Sequence, residues 1–266
     1  MANKSSKKDT KLPGWPWLLR IRPRQVIALV GALLLLAWGV FLAVDIWGWI
    51  GEELNRPAWR LLFNDRPVEW LAWLVLALAA TASGFLGGRL YGGEYDGAGK
   101  FFLWLSVGLA LMLVEDAGDI RHVISSEVER LYGSEVLGLP YRVVSDAPYF
   151  TALAAVPVYA VVRYGRHIWQ ATSARRYLIG GVSLYAIAAI GSAVRHLNDL
   201  YIRVGAQVDA WLFGGRFPIP EGMDQERAHF FVIDSVVEES VELLAVTLLL
   251  ATVLSFALFV RNRTHQ

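Results

Sequence analysis

The sequence predicts an all-α protein that crosses a membrane about six times, a polytopic helical bundle with both termini on the cytoplasmic side. Three observations predict it. Apolar residues make up 55% of the 266-residue chain and charged residues only 18%, against about 25% charged in ordinary soluble domains. The apolar residues collect in runs of the length that a bilayer span requires. Lys and Arg collect at alternate span ends, as the positive-inside rule demands.

Residues 1–24 form a basic cytoplasmic tail with Lys4, Lys7, Lys8, Lys11, Arg20, Arg22 and Arg24. The first apolar run, Val26–Trp47, exceeds the core of a signal peptide and no small-x-small cleavage site follows it. It reads as a retained span. Further spans fall at Val68–Leu90, Phe101–Ala117, Phe150–Tyr164, Tyr177–Val194 and Glu242–Val260. The fourth is short and holds Pro157, which a membrane helix tolerates when neighbours satisfy the freed carbonyl. Within lipid a helix pairs its own backbone groups, so the spans are helical.

Orientation follows from the cations. The N-terminal flank, the loop with Arg163, Arg166, Arg175 and Arg176, and the C-terminal Arg261 and Arg263 share one face. The longer connections, 48–67, 118–149 and 195–241, fall on the other. This places both termini on the cytoplasmic face. After span three, Ile120, Val123, Ile124, Val128 and Leu131 recur at helical spacing. After span five, Leu200, Val204, Val208, Trp211 and Leu212 do the same. Residues 118–138 and 198–213 are therefore expected as amphipathic outer extensions within a single transmembrane domain, 25–262. GGRFPIPEG (214–222) is a turn-rich break. Trp47, Trp49, Trp59, Trp70 and Trp211 fall near span boundaries, where aromatic belts form.

Several chemistries are absent. A net charge of +1 makes no field for nucleic acid, and a chain without Cys has neither disulfide nor thiolate. There is no His-Glu-x-x-His, Gly-x-Ser-x-Gly or phosphate-binding Gly-rich loop after a strand. Every Lys lies outside the spans.

What remains is a polar layer. Span three ends in LVEDAGDIRHVI, span five in RHLND, and span six begins with DSVVEESVE. At 1.5 Å per residue, Glu115 lies roughly 22 Å above the inner boundary, and His122, His196, Glu238 and Glu242 lie between roughly 28 and 34 Å above it. All meet one interface of a core about 30 Å thick. Glu115, Asp119 and His122 are spaced to share one helical face, as are His196, Asp199 and Arg203. Glu238 and Glu242, and Glu239 and Glu242, stand one turn apart, where like charges repel.

Such stacked carboxylates need counter-charge. A divalent metal is one source: Asp119-x-x-His122 and His196-x-x-Asp199 are carboxylate–imidazole pairs one turn apart. With Glu238, Glu239 and Glu242 they approach the ligand set of di-metal helical bundles and would suit Zn, Fe or Mn. Glu115 or Asp116 would then be a catalytic base acting on a lipid or amphiphile. Arg121 and Arg195 are the other source, in an ion-pair network serving a scaffold or assembly component. Intramembrane carboxylates also mark proton and cation paths, which leaves a linked transporter open.

The acidic doublet followed by a His (Glu115, Asp116, His122) and the Glu-Glu-x-x-Glu stretch (Glu238, Glu239, Glu242) resemble uncharacterised multi-pass inner-membrane proteins of bacteria. The resemblance covers two short stretches and implies a membrane fold with no established activity. The chain differs from ceramidase-like membrane hydrolases in having no His-x-x-x-His helix.

Overall fold

The computed structural model describes residues 21–49, 56–63, 67–136, 138–195 and 197–264. The helices in chain order are α1 (Pro23–Phe41), α2 (Ala58–Leu62), α3 (Pro67–Leu90), α4 (Asp96–Gly118), α5 (Ile120–Tyr132), α6 (Tyr141–Tyr164), α7 (Thr172–Val194), α8 (Leu200–Val208), α9 (Gln225–Phe231) and α10 (Glu239–Thr264). A two-stranded antiparallel ribbon, β1 (Glu135–Val136) and β2 (Leu139–Pro140), precedes α6. The chain is a multi-pass helical membrane protein, with six helical segments long and apolar enough to cross a bilayer.

Helix starts follow local chemistry. Pro23 opens α1, where its missing N–H costs nothing, and the Arg22 N–H donates to Gln25 Oε1 at 3.2 Å. At the start of α9, Asp224 Oδ1 accepts the Arg227 N–H at 2.7 Å. From there α9, a π-helical stretch (Val232–Glu238) and α10 run as one rod. Helical structure therefore begins well before Glu242, where hydropathy alone would place it. The fourth span is also longer than expected, from Tyr141, and accommodates both Pro148 and Pro157.

α10 is the central element: it packs on α1, α3 and α7, while α3 packs on α4 and α4 on α6. Lipid gives helices no hydrophobic reason to associate, so close contact depends on small residues. A Cβ at Gly87 would lie 2.7 Å from the Leu103 backbone N, and one at Gly99 2.8 Å from that of Tyr91. The glycine-rich turn between α3 and α4 thus flanks their closest approach. Pro157 of α6 rests on Gly108 of α4 in the same way. Apolar side chains such as Leu35 (75% exposed) and Leu36 (63%) face outward from the bundle, as contact with lipid requires. α6 and α7 meet only sparsely.

Two expectations about the polar segments fail on backbone grounds. Asp119 adopts a left-handed conformation (φ 49°), and so does Asp199 (φ 53°). Asp tolerates that region better than most residues. Each therefore breaks its helix: α4 ends at Gly118, α5 restarts at Ile120, and α8 restarts at Leu200. The continuous face Glu115–Asp119–His122 does not form, and Asp199 lies outside the helix that carries Arg203.

The tryptophans divide. Trp47, Trp49, Trp70 and Trp211 are exposed near span ends. Trp59 is fully buried instead, with ring centroids 5.4 Å from Phe217 and 5.7 Å from Phe231. Asp45 supports this cluster. Its two carboxylate oxygens accept the Ala58 and Trp59 N–H groups, each at 2.8 Å, so it caps α2.

Candidate functional site

The latter halves of α4 and α7, α6 from Phe150 to Val162, the beginning of α3 and the α9–α10 rod around Asp234–Glu242 line one cavity of about 750 Å³. Its two parts differ in chemistry. Toward the bundle centre, Leu105, Leu109, Leu153, Pro157, Val161 and Val182 line an apolar arm where α6 and α7 part. From Phe150 to Val161 this arm follows α6 for roughly 16 Å, about half the hydrocarbon thickness.

The other part is polar. Span three brings Glu115 and Asp116; the rod brings Asp234, Glu238, Glu239 and Glu242. Asp119, Arg121 and His122 follow the break after α4, and Arg195 follows α7. Glu69, in the first turn of α3, also lines the cavity, where the helix N-terminus favours a carboxylate. Of the residues expected to act together, Glu115, Asp116, Asp119, His122, Glu238, Glu239 and Glu242 all reach this space. Asp199 does not: it is exposed and lies outside the cavity lining. His196 lies outside the described residues. Among the described residues, no three His, Asp or Glu side chains converge to hold a metal ion.

The cations sit at one end. Arg195 Nη1 pairs with Asp234 Oδ1 at 2.7 Å, the arginine 7% and the aspartate 21% exposed. Arg121 Nη1 donates to Ser192 Oγ at 2.8 Å, and its guanidinium lies 5.2 Å from the Phe150 ring centroid. Arg121 Nη2 lies 3.2 Å from His122 Nε2, and the Arg121 N–H donates to Glu115 Oε2 at 3.3 Å. His122 Nε2 is 3.6 Å from Asp119 Oδ1. Partial burial, then the guanidiniums of Arg121, Arg195 and Arg142, push the His122 pKa below its ordinary value against the pull of Asp119. A neutral imidazole can accept a hydrogen bond from the Arg121 Nη2–H at its Nε2.

Two phenols complete the polar wall. Tyr149 OH donates to Glu115 Oε2, and Tyr201 OH donates to Glu238 Oε2 at 2.7 Å. Burial, and then the Glu238 charge, push the Tyr201 pKa up, so it stays a donor. Gly191 makes room for it: a Cβ there would lie 2.7 Å from the phenol oxygen. Asp116, Glu239 and Glu242 make no ion pair among the described residues, although Glu239 lies within electrostatic range of Glu69, Asp116 and Glu242.

Sequence reasoning missed Glu69, Tyr149 and Tyr201. Glu69 carried a usable signal, a carboxylate two residues into a span at the same interface as the others. The tyrosines carried none, because a Tyr near a span end reads as an interfacial anchor. His229 lies 3.3 Å from Asp209, outside the cavity lining, and Asp209 also accepts the Phe217 N–H at 3.0 Å.

A second, more open cavity of about 620 Å³ adjoins the first, and His122, Arg195 and Asp234 line both. Arg142, Arg227 and Phe230 belong to this vestibule. Comparison with protein-family models, with curated proteins and with solved structures found no match.

Proposed function

We propose that the protein binds an amphiphile in this cavity, with the chain in the apolar arm and the headgroup among the carboxylates and guanidiniums. The observation that carries the reading is the joining of both environments in one space. The arm has about the depth of one leaflet and lies where α6 and α7 meet only sparsely. Ligand sites are commonly apolar cavities with a few convergent polar groups. With the expected orientation, the headgroup would sit at the outer interface. Glu115 is committed to Tyr149 and the Arg121 backbone, so Asp116 is the carboxylate available as a base toward a bound headgroup.

Purification in a mild non-ionic detergent followed by native mass spectrometry tests this. The wild type should carry a stoichiometric amphiphile, and Ala154→Phe/Ala186→Phe, which fills the arm, should lose it while remaining folded. An empty wild type, or an adduct unchanged in the variant, refutes the reading.

One observation favours a second reading. Asp116, Glu239 and Glu242 line the cavity without an ion-pair partner among the described residues, and protons or an incoming cation would balance them. This supports proton- or cation-linked transport. Flux in proteoliposomes, abolished by Glu239→Gln/Glu242→Gln, would support it; flux indifferent to both substitutions would exclude this role for the cluster.

A further inference from the structure

The cavity carries more negative charge than its own cations answer. Eight carboxylates line it, against two guanidiniums. The guanidiniums are engaged at the mouth toward the vestibule, Arg195 with Asp234 and Arg121 with Ser192 and His122. Glu115 and Glu238 accept from phenols. Glu239 and Glu242 have neither a hydrogen bond nor an ion pair among the described residues. Glu242 lies deep in the bundle, and its strongest electrostatic neighbours, Asp116 and Glu238, are acidic. It nevertheless keeps accessible surface. Because Glu242 lines the cavity, that surface faces the cavity. Buried charges are ordinarily paired, so this one calls for a positive partner from outside the chain.

Three further observations say what kind of cation fits. Among the described residues no three carboxylate or imidazole groups converge on a metal ion, while the space, about 750 Å³, is that of an organic ligand. Two aromatic residues of the lining stand among the same carboxylates. Trp73 of α3 lies beside Asp116, and Tyr185 of α7 lies within electrostatic range of Glu242, Asp116 and Glu239. Aromatic rings attract organic ammonium groups, most strongly where water is excluded. Finally, the carboxylates lead into the apolar arm. Leu109 precedes Asp116 by two turns of α4, and Leu249 follows Glu242 by two turns of α10. Each leucine shares its carboxylate's helical face, roughly 10 Å deeper in the bundle, and both line the cavity.

We infer that the amphiphile is cationic: its ammonium headgroup sits among Asp116, Glu239 and Glu242, beside Trp73 and Tyr185, and its chain runs past Leu109 and Leu249 into the arm. The inference rests on the amphiphile reading for the chain and adds the class of headgroup. An ammonium ion without a chain would meet the same carboxylates, and the experiment separates the two.

Calorimetric titration of the full chain in a non-ionic amphipol tests the assignment, with dodecyltrimethylammonium, dodecyl maltoside and tetramethylammonium as probes. The wild type should bind dodecyltrimethylammonium about ten-fold or more tighter than dodecyl maltoside. Glu239→Gln/Glu242→Gln keeps the side-chain volumes and removes both charges. It should weaken dodecyltrimethylammonium by about ten-fold or more and leave dodecyl maltoside unchanged, which also reports an intact fold. Should that variant lose both probes, Asp116→Asn is read in the same way. Equal binding of the two dodecyl probes by the wild type overturns the cationic headgroup and leaves the amphiphile reading standing. Equal affinity of wild type and folded variant for dodecyltrimethylammonium overturns the site. Binding of neither dodecyl probe overturns both readings. Tetramethylammonium binding as tightly as dodecyltrimethylammonium, with the same loss in the variant, supports the ammonium site and removes the chain.

Discussion

Asp234→Asn should be among the more damaging single substitutions at the mouth of the cavity. It removes the negative partner of Arg195 while leaving a guanidinium that is 7% exposed. Removing one member of a buried pair costs roughly 3–5 kcal/mol, because the remaining charge is stranded. Asp234 itself retains 21% exposure, which places the cost near the lower end, about 3 kcal/mol. For a chain of this size that corresponds to a fall of roughly 6–12 °C in melting temperature. The double variant Arg195→Met/Asp234→Leu should recover most of the loss, to within about 1 kcal/mol of wild type, since apolar replacements of similar volume are often neutral. The assay is gel filtration of detergent-solubilised protein after a series of heating steps, read by tryptophan fluorescence. A single variant melting within about 2 °C of wild type would refute the reasoning. So would a double variant less stable than the single, because the pair would then be holding the α7 end and the rod together by more than charge neutralisation.

Three further outcomes are expected. Gly87→Ala places a methyl group 2.7 Å from the Leu103 backbone N, so α3 and α4 must separate at a cost of roughly 1–3 kcal/mol, visible in the same heating series. Tyr201→Phe strips Glu238 of its phenol donor and should cost about 1–3 kcal/mol. Tyr201→Gln, which retains a donor, should restore part of it. His122 predicts a pH dependence: its surroundings lower its proton affinity in the folded chain from the ordinary 6.5. The unfolded chain therefore takes up the proton first as pH falls. The stability this group contributes is complete above 6.5 and declines below it. His122→Gln should flatten the stability profile between about pH 7 and pH 5, and an unchanged profile would contradict the shift.

The fold was largely legible because the bilayer imposes length and polarity on each span, and hydropathy reads both directly. Val26–Trp47 and Val68–Leu90 fall close to the helices observed. What hydropathy could not show was helical structure carrying polar residues, hence the early starts at Tyr141 and Gln225. The gathering of Glu115, Asp116, Glu238, Glu239 and Glu242 at one end of the bundle was approachable by counting rise per residue. Their mutual arrangement was not, because phase arguments assume an unbroken helix. Asp119 and Asp199 break theirs through left-handed backbone conformations, and the π-helical stretch before Glu239 shifts the register of Asp234 and Glu238. One residue was misread for a related reason. Trp59 lies near a span boundary in sequence, but it belongs to the short helix α2 and is buried in an aromatic cluster.

The central claim is that the arm between α6 and α7 receives an alkyl chain. Photocrosslinking with a dodecyl chain carrying a terminal diazirine, followed by peptide mapping, locates that chain. The account predicts labelling concentrated on Leu153–Val162 and Val182–Ala189, suppressed by excess unlabelled amphiphile and by Ala154→Phe/Ala186→Phe. Labelling that instead follows the lipid-facing leucines of α1, Leu29, Leu35 and Leu36, and does not saturate, would contradict it.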